Sequence, residues 1–450
     1  YADDTHEDRQ FTGWEEWIPG CFNALDLPAA PLERKVPNPS YTVTVNPGGA
    51  TPVADEAKLV PVGSVPVKLQ CNRLLTPENY DRDIRHYEVD IEKAPIKYAC
   101  GESLAIFPKN DAKMVDGFCK MYGLNPTDEL SVAAKSDARN SLPTELNIRQ
   151  LFSVYLDIFG KPNKKFFENL LNFATDPEEK TALELLISEH GRTKLKELQH
   201  DMVNFADVLA KFPKTRPPLE HLMNIIPAIR SRSYSISSSP VMHPKKIELT
   251  VVKVDWEVPS TKEQRFGLCT DYMDDRQPGE LINVAVRKSA IVVPEDITVP
   301  IIMAGMGTGI APWRAMTQQR IALLEQGKKV GPALMFYGAR KRAGEYLYEE
   351  EMEKYMKMGV LELHCAFSRD QKHKIYVQHR IVEASKTVYD YMVNKGGHFY
   401  VCGSSRNIPE DVYRAMTQVM MKEGDMQQEA AEALLETMKR EGRYTVEAWA

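Results

Sequence analysis

The chain has 450 residues, 43% hydrophobic and 27% charged, a balance typical of a globular protein and too long for one hydrophobic core. Lys and Arg number 57 against 63 Asp and Glu, a formal net charge of −6, so nothing in the composition favours a nucleic-acid partner. The seven cysteines are scattered without metal-ligand spacing, which predicts reduced thiols, a cytosol-like compartment and no metal site.

The first residues, YADDTHEDRQF, carry no initiator Met and no signal-peptide core, which reads as a cut end inside a larger protein. Phe11, Trp14, Trp17 and Ile18 recur at helical spacing, and the Pro-, Gly- and Ala-rich stretch 26–65 predicts a linker. The runs VPVKLQCNRLL, RHYEVDI and LAIFP between 66 and 108 predict strands. Over 112–226 the apolar positions fall at helical spacing, with start signals in SLPTEL and TDPEE. Strand patterns return at 233–300, so a helical block is expected inside a β domain. From Pro300 onward the runs PIIMA, ALMFY, LELHCAF, HFYVC and YTVEA alternate with helical stretches, which predicts a parallel sheet covered on both faces. No stretch approaches the ~18 apolar residues of a membrane span.

Gly305-Met306-Gly307-Thr308-Gly309-Ile310-Ala311-Pro312 lies between a strand and a helix pattern. Such a turn presents free N–H groups and a helix start to an anion, and its glycines let a pyrophosphate approach the backbone. In Arg232-Ser233-Tyr234-Ser235, a Tyr between small hydroxyl residues can lie against a flat ring while the Arg neutralises a phosphate. Ser368-Arg369 ends a strand pattern, with Lys374, Tyr376 and Gln378 close behind. An NAD-binding fold would carry an acidic residue near that strand end; a hydroxyl and cations suit a 2′-phosphate instead. Two charge-assisted bonds would favour NADPH over NADH by about 3–6 kcal/mol, on the order of a hundred- to ten-thousand-fold. Cys402-Gly403 ends the run HFYVC, where ligands bind in open α/β sheets, and the chain closes on Glu447-Ala448-Trp449-Ala450.

These motifs, in this order, resemble the ferredoxin–NADP reductase superfamily and within it the diflavin reductases. The strings GESLAIFPKND, RPPLEHLMNIIPAIRSRSYSISSSP, AFSRDQKHKIYVQH and GRYTVEAW carry the likeness over nearly the whole chain. The fold implied is an antiparallel FAD-binding β-barrel with an inserted helical connecting domain, followed by a doubly wound parallel-sheet NADP-binding α/β domain. The expected boundaries are 1–30 for the end of an FMN domain and its linker, 31–111 with 227–298 for the barrel, 112–226 for the helical insertion and 299–450 for the nucleotide domain. The resemblance implies that FAD is held by Arg232, Tyr234, Ser235, Trp449 and a loop after the third barrel strand, Gly267, Leu268, Cys269 and Thr270. It implies NADP contacts from Gly307, Thr308, Gly309, Arg340, Ser368, Arg369, Lys374, Tyr376, Gln378 and Cys402. Ser235, Cys402 and Glu447 would surround hydride transfer, and Trp449 would stack on the flavin and swing aside for nicotinamide. Met306 and Ser404 depart from the family's usual Pro and acidic residue, and Glu447 stands where Asp is commoner.

The expected partners are an FMN domain of the same protein and a haem-protein electron acceptor, in a cytosol-facing protein whose full length is anchored to the endoplasmic reticulum in the branch resembled most. Sulfite reductase flavoprotein, nitric oxide synthase and the reductase of iron–sulfur assembly are rival branches, and a catalytically silent docking scaffold is the rival outside enzymes.

Overall fold

The structure, a computed structural model, describes residues 36, 38–48, 59–135, 142–404 and 408–449. The expected helix at 9–25 and the FMN-domain remnant at 1–30 lie outside the described residues.

In chain order the first strands are β1 (Tyr41–Asn46), β2 (Val65–Leu74), β3 (Ile84–Asp90) and β4 (Ser103–Phe107). Within 112–226 come β5 (Glu129–Ala134) and β6 (Glu145–Asn147) among the helices Ala112–Tyr122, Lys164–Leu171, Pro177–Ile187 and others. Then follow β7 (Arg232–Ser235), β8 (Lys246–Val252), the short hairpin β9 (Asp255–Glu257) and β10 (Gln264–Phe266), and β11 (Leu281–Arg287). The last five strands are β12 (Ile301–Met306), β13 (Ala333–Ala339), β14 (Leu361–Phe367), β15 (His398–Ser404) and β16 (Tyr444–Trp449).

Six antiparallel strands run in the order β7-β4-β11-β2-β3-β8, and a bridge between Ile236 and Leu249 joins the first edge to the last. Closure follows from the alternation of side chains. In β2, Val67 and Leu69 are buried while Pro66, Lys68 and Gln70 face outward, the period of a half-buried strand. Inward residues of neighbouring strands, among them Tyr87, Val89, Leu104, Ile106 and Leu249, form one core.

The 112–226 block departs from its all-helical expectation, because β5 and β6 lie inside it. It also takes in β1, from the stretch expected to be a linker. Tyr41–Asn46 pairs antiparallel with Glu129–Ala134, and Tyr41 is buried in the same core as Phe118, Phe152 and Phe166. That pairing is long-range, so the Pro and Gly around YTVTVN hid a strand whose partner lies some ninety residues on. Local signals fared better. Asp176 caps Pro177–Ile187 by accepting from the N–H groups of Glu178 and Glu179.

The third sheet is wholly parallel, in the order β14-β13-β12-β15-β16. Its central strands are buried along their length, as strands covered on both faces must be. Met303, Met335 and Tyr337 face the core that contains Trp313, while Ile302, Leu334 and Phe336 face the opposite core with Val401 and Met416. The strand order reverses between β12 and β15, so this is the topological switch point where a doubly wound sheet opens a crevice. No helix among the described residues is long and apolar enough to cross a membrane.

Barrel and parallel sheet meet over a buried ion pair, Glu248 of β8 with Arg314 of the helix Ala311–Glu325, at 2.5 Å. Burial opposes ionisation of Glu248, but Arg314 and Lys246 outweigh it and hold the carboxyl down to about 2. A depressed carboxyl stabilises the fold above its unfolded value of 4.5, and that contribution is lost as pH falls toward about 2. Glu248→Gln should therefore be less stable at neutral pH and lose less further stability over that acid range, as urea titrations at stepped pH would show.

Candidate functional site

The turn after β12 is built as the motif requires. Gly307 adopts φ +55°, left-handed backbone that favours glycine. A Cβ added there would have one neighbour within 4 Å, Arg82 Nη1 at 3.8 Å. A Cβ at Gly305 would collide with the Trp313 indole, and one at Gly309 with the Cys402 carbonyl oxygen, so β12, the helix start and β15 meet without side chains between them. Gly309→Ala should force β15 away and cost about 1–3 kcal/mol of stability, read as a lowered Tm with weakened nucleotide binding. Met306 departs from the family pattern but fits, because the positions its side chain meets, Gly338 and Gly403, carry none of their own.

A cleft of about 470 Å³ opens at this turn. Of the predicted nucleotide contacts, Gly307, Thr308, Arg340, Ser368, Tyr376 and Gln378 line it. Gly309 lies buried beneath, and the exposed Arg369 and Lys374 stand outside the lining. Arg369 is nevertheless tied to the rim: its N–H donates to the Arg340 carbonyl at 2.8 Å, and the Ser368 N–H to that of Ala339 at 3.0 Å. The ends of β13 and β14 thus set Arg340, Ser368 and Arg369 side by side. Left-handed glycine, free N–H groups and this cation and hydroxyl set fit a pyrophosphate and a further phosphate.

The sequence reading missed Arg82 and Asp411, which also line the cleft. Arg82 reaches in from the turn between β2 and β3, held by both Glu345 oxygens at 3.3 Å. Asp411 takes a bond from the Gln378 amide at 3.4 Å. Neither stands in a motif; only the fold brings an arginine of the barrel to a glycine turn more than two hundred residues later.

At the other end of the switch point, three predicted residues converge. Glu447 on β16 is in register with Cys402 on β15, and its Oε2 accepts from Ser235 Oγ at 3.3 Å and Cys402 Sγ at 3.8 Å. Ser289, unpredicted because the sequence reads RKSAIVV as the continuation of a strand that in fact ends at Arg287, donates to Oε1 at 2.8 Å. Burial raises the Glu447 carboxyl above the usual range, with the Ser289, Ser235 and Cys402 bonds only partly opposing it. Burial, then the neighbouring Glu447, push the fully buried Cys402 thiol well up, so it is a thiol and not a thiolate nucleophile.

Ser235 ends β7, in register with Ser103 of β4, which puts Arg232, Tyr234 and Ser235 along one barrel edge beside Glu447. Arg232 donates to the Arg230 carbonyl at 2.7 Å and meets no carboxylate among the described residues, leaving its charge for an anion. A guanidinium, a half-buried phenol and hydroxyls fit a flavin nucleotide. The Gly267–Thr270 segment corrects its expectation. It is the first turn of the helix Leu268–Asp274, with Gly267 at its cap, and it follows five barrel strands in chain order, since β2, β3, β4, β7 and β8 all precede it. The Thr270 hydroxyl donates to the Gly267 carbonyl at 3.1 Å and accepts from the Val254 N–H at 3.2 Å, and buried Cys269 belongs to the barrel core against which Tyr234 packs. Half-buried Leu268 and Gly267 stay at the surface of that turn. The Trp449 backbone ends β16 opposite Ser404; its side chain lies outside the described residues.

Two family models match the chain: an FAD binding domain over residues 61–272 and an oxidoreductase NAD-binding domain over 303–412. Together they define an NAD(P)H-dependent FAD oxidoreductase. The relatives sharpen this. The sulfite reductase [NADPH] flavoprotein component of Saccharomyces cerevisiae is 36% identical over 87% of this chain and 38% of its own length. The NADPH–cytochrome P450 reductase of Rattus norvegicus is 33% identical over 84% of this chain and 57% of its own. The mitochondrial pyruvate dehydrogenase [NADP(+)] of Euglena gracilis is 35% identical over 100% of this chain and 24% of its own. The chain carries the FAD- and NAD(P)H-binding module of the diflavin reductases, and spans from about a quarter to just over half the length of these relatives.

Proposed function

We propose that this module passes hydride between NADPH and FAD and that electrons then move through an FMN domain to a haem-protein acceptor; one relative's name, NADPH–cytochrome P450 reductase, gives NADPH as donor and a cytochrome P450 as acceptor for that protein. The observation that carries the hydride step is the meeting of Ser235, Cys402 and Glu447 at the switch point, beside the cleft at the glycine turn. FAD, when bound, supplies the hydride acceptor. The chain's own residues do the rest. Arg82, Thr308 and the turn's N–H groups hold a pyrophosphate, and Arg340, Ser368, Arg369, Lys374 and Tyr376 select the 2′-phosphate. Arg232, Tyr234 and Ser235 hold the flavin nucleotide, with Gly267–Thr270 shaping the wall beneath Tyr234. Glu447 stabilises the positive charge that grows on a nicotinamide as it gives up hydride, while Ser235 and Cys402 orient the carboxylate. Trp449, at the end of β16, would be the residue to cover the flavin when FAD is bound.

The chain by itself should reduce ferricyanide from NADPH and reduce cytochrome c slowly. Efficient cytochrome c reduction by this chain alone would contradict the FMN relay, and failure to bind FAD would contradict the whole reading. A second reading of the partner has its own support. The pyruvate dehydrogenase [NADP(+)] relative matches all of the chain, where the P450 reductase leaves part of it unmatched. In that reading the module delivers hydride to NADP⁺ in a pyruvate-oxidising protein. Pyruvate-dependent NADP⁺ reduction by the full-length protein would decide for it.

A further inference from the structure

Arg314 sits on the helix that begins at the glycine turn, five residues after Gly309, and it is 6% exposed. Most of its bonds leave its own domain. One terminal nitrogen donates to Glu248 Oε2 at 2.5 Å and to the Ser237 carbonyl at 2.9 Å, both on the barrel, while Nε holds Glu351 at 2.9 Å. Its guanidinium lies 4.4 Å from the centre of the Tyr348 ring. Tyr348 holds left-handed backbone, φ +57°, unusual for a non-glycine residue, and aims its hydroxyl across the same boundary to Thr250 Oγ1 at 2.7 Å and His86 Nδ1 at 3.0 Å. One helical turn on, Gln318 repeats the pattern, accepting from the Ser239 N–H at 3.0 Å and donating to Glu351 at 3.0 Å.

The barrel groups gripped here belong to the strand pair that carries the flavin edge. Ser237 follows Ser235 by two residues and donates its N–H to the Glu248 carbonyl at 2.8 Å. Ile236, between them, bridges to Leu249. The arginine thus links the helix of the phosphate turn to the β7–β8 corner of the flavin site through a few rigid bonds. An apolar residue could fill the space and bury area as well; what a paired guanidinium adds is direction, since its planar fork accepts one arrangement of partners.

We propose that Arg314 is a positioning residue: it touches neither nucleotide nor flavin but fixes the nucleotide domain against the barrel so that nicotinamide and flavin meet at reacting distance. The inference rests on the hydride-transfer reading above and makes a claim of its own about how the two domains are coupled. Hydride transfer tolerates little displacement, and a shift of about 1 Å costs roughly a hundred-fold.

The test compares Arg314→Met, Arg314→Lys and the milder Tyr348→Phe with the unaltered chain. Affinity for 2′,5′-ADP, which occupies only the phosphate end of the cleft, should stay within about two-fold, because Arg314 lies outside that lining. The rate of flavin reduction by saturating NADPH should fall about a hundred-fold in Arg314→Met, with partial recovery in Arg314→Lys and a smaller loss in Tyr348→Phe. Calorimetry of the flavin-free chains supplies a readout independent of turnover: barrel and parallel sheet should unfold together in the unaltered chain and in separate transitions in Arg314→Met. Full-rate flavin reduction, or an equal loss of 2′,5′-ADP affinity, in the methionine variant would overturn the proposal. If that variant does not fold, an unchanged rate in both Arg314→Lys and Tyr348→Phe overturns it equally. If the unaltered chain shows no flavin reduction by NADPH, the functional reading fails instead, and the unfolding comparison still decides whether Arg314 couples the domains.

Discussion

Glu447→Gln is expected to slow flavin reduction by NADPH about a hundred- to thousand-fold, the cost of removing one preorganised electrostatic partner from a dry site, without harm to the fold at neutral pH. The carboxylate faces Ser235, Ser289 and Cys402 and pairs with no cation among the described residues, so hydroxyls and a thiol hold its charge there. Burial has raised its carboxyl. A raised carboxyl contributes stability below its unfolded value of 4.5 and loses it as pH climbs through the folded value, so the ionised form strains the fold at neutral pH. Charge on Glu447 is useful only when a cation develops opposite it. Glutamine keeps the length: its one amide oxygen can accept from Ser235 or Ser289, and its NH2 can donate to the other hydroxyl. The variant should melt at or above the temperature of the unaltered chain at pH 7 and react slowly. In the unaltered chain the rate should fall as pH drops through the raised Glu447 value, and this acid limb should vanish in the variant. Stopped-flow absorbance across pH, with thermal melts at the same points, tests both halves; an unaltered acid limb in Glu447→Gln would assign the limb to another group.

Arg369→Ala should weaken NADPH binding about ten- to a hundred-fold while leaving NADH nearly untouched, the worth of one charge-assisted contact to a phosphate that only NADPH carries. The side chain is exposed, which places the effect toward the lower figure and makes it shrink with added salt. Its backbone bond to Arg340 limits collateral damage, because alanine keeps the N–H that joins the two loops. Arg340→Ala is the useful contrast. That guanidinium is already engaged by Asp81 of the barrel at 3.1 Å, so its removal should also loosen the contact between domains. Titrations with both nucleotides at two salt concentrations distinguish the two arginines, and equal losses of NADPH and NADH in Arg369→Ala would place its side chain elsewhere.

Much of this architecture was legible because its determinants are local. The alternation in β2, the continuous apolar runs of β12 and β13, the Asp176 cap and the glycine turn each depend on a few adjacent residues. Where the determinant was a distant partner, the reading fell short. The strand at Tyr41–Asn46 exists through its ladder with β5, and the helix at Leu268–Asp274 replaces an expected loop because Thr270 finds a partner in Val254 and Cys269 packs into the barrel core. Ser289 and Arg82 carry no signal at all, since a serine in a loop or an arginine in a turn takes on meaning from what the fold sets opposite it.

The sequence by itself determined which groups the molecule carries: a glycine turn, a strand end with cations in place of a carboxylate, and the serine, cysteine and glutamate that the fold brings together. Periodicity and turn chemistry are written in neighbours, so they survive without a fold. Tertiary structure alone decided that Ser235, Cys402, Ser289 and Glu447, spread over more than two hundred residues, share one carboxylate, and that Arg314 bolts one domain to the other. Those relations depend on closing a barrel, reversing a strand order and packing two domains, and no run of adjacent residues encodes such distances.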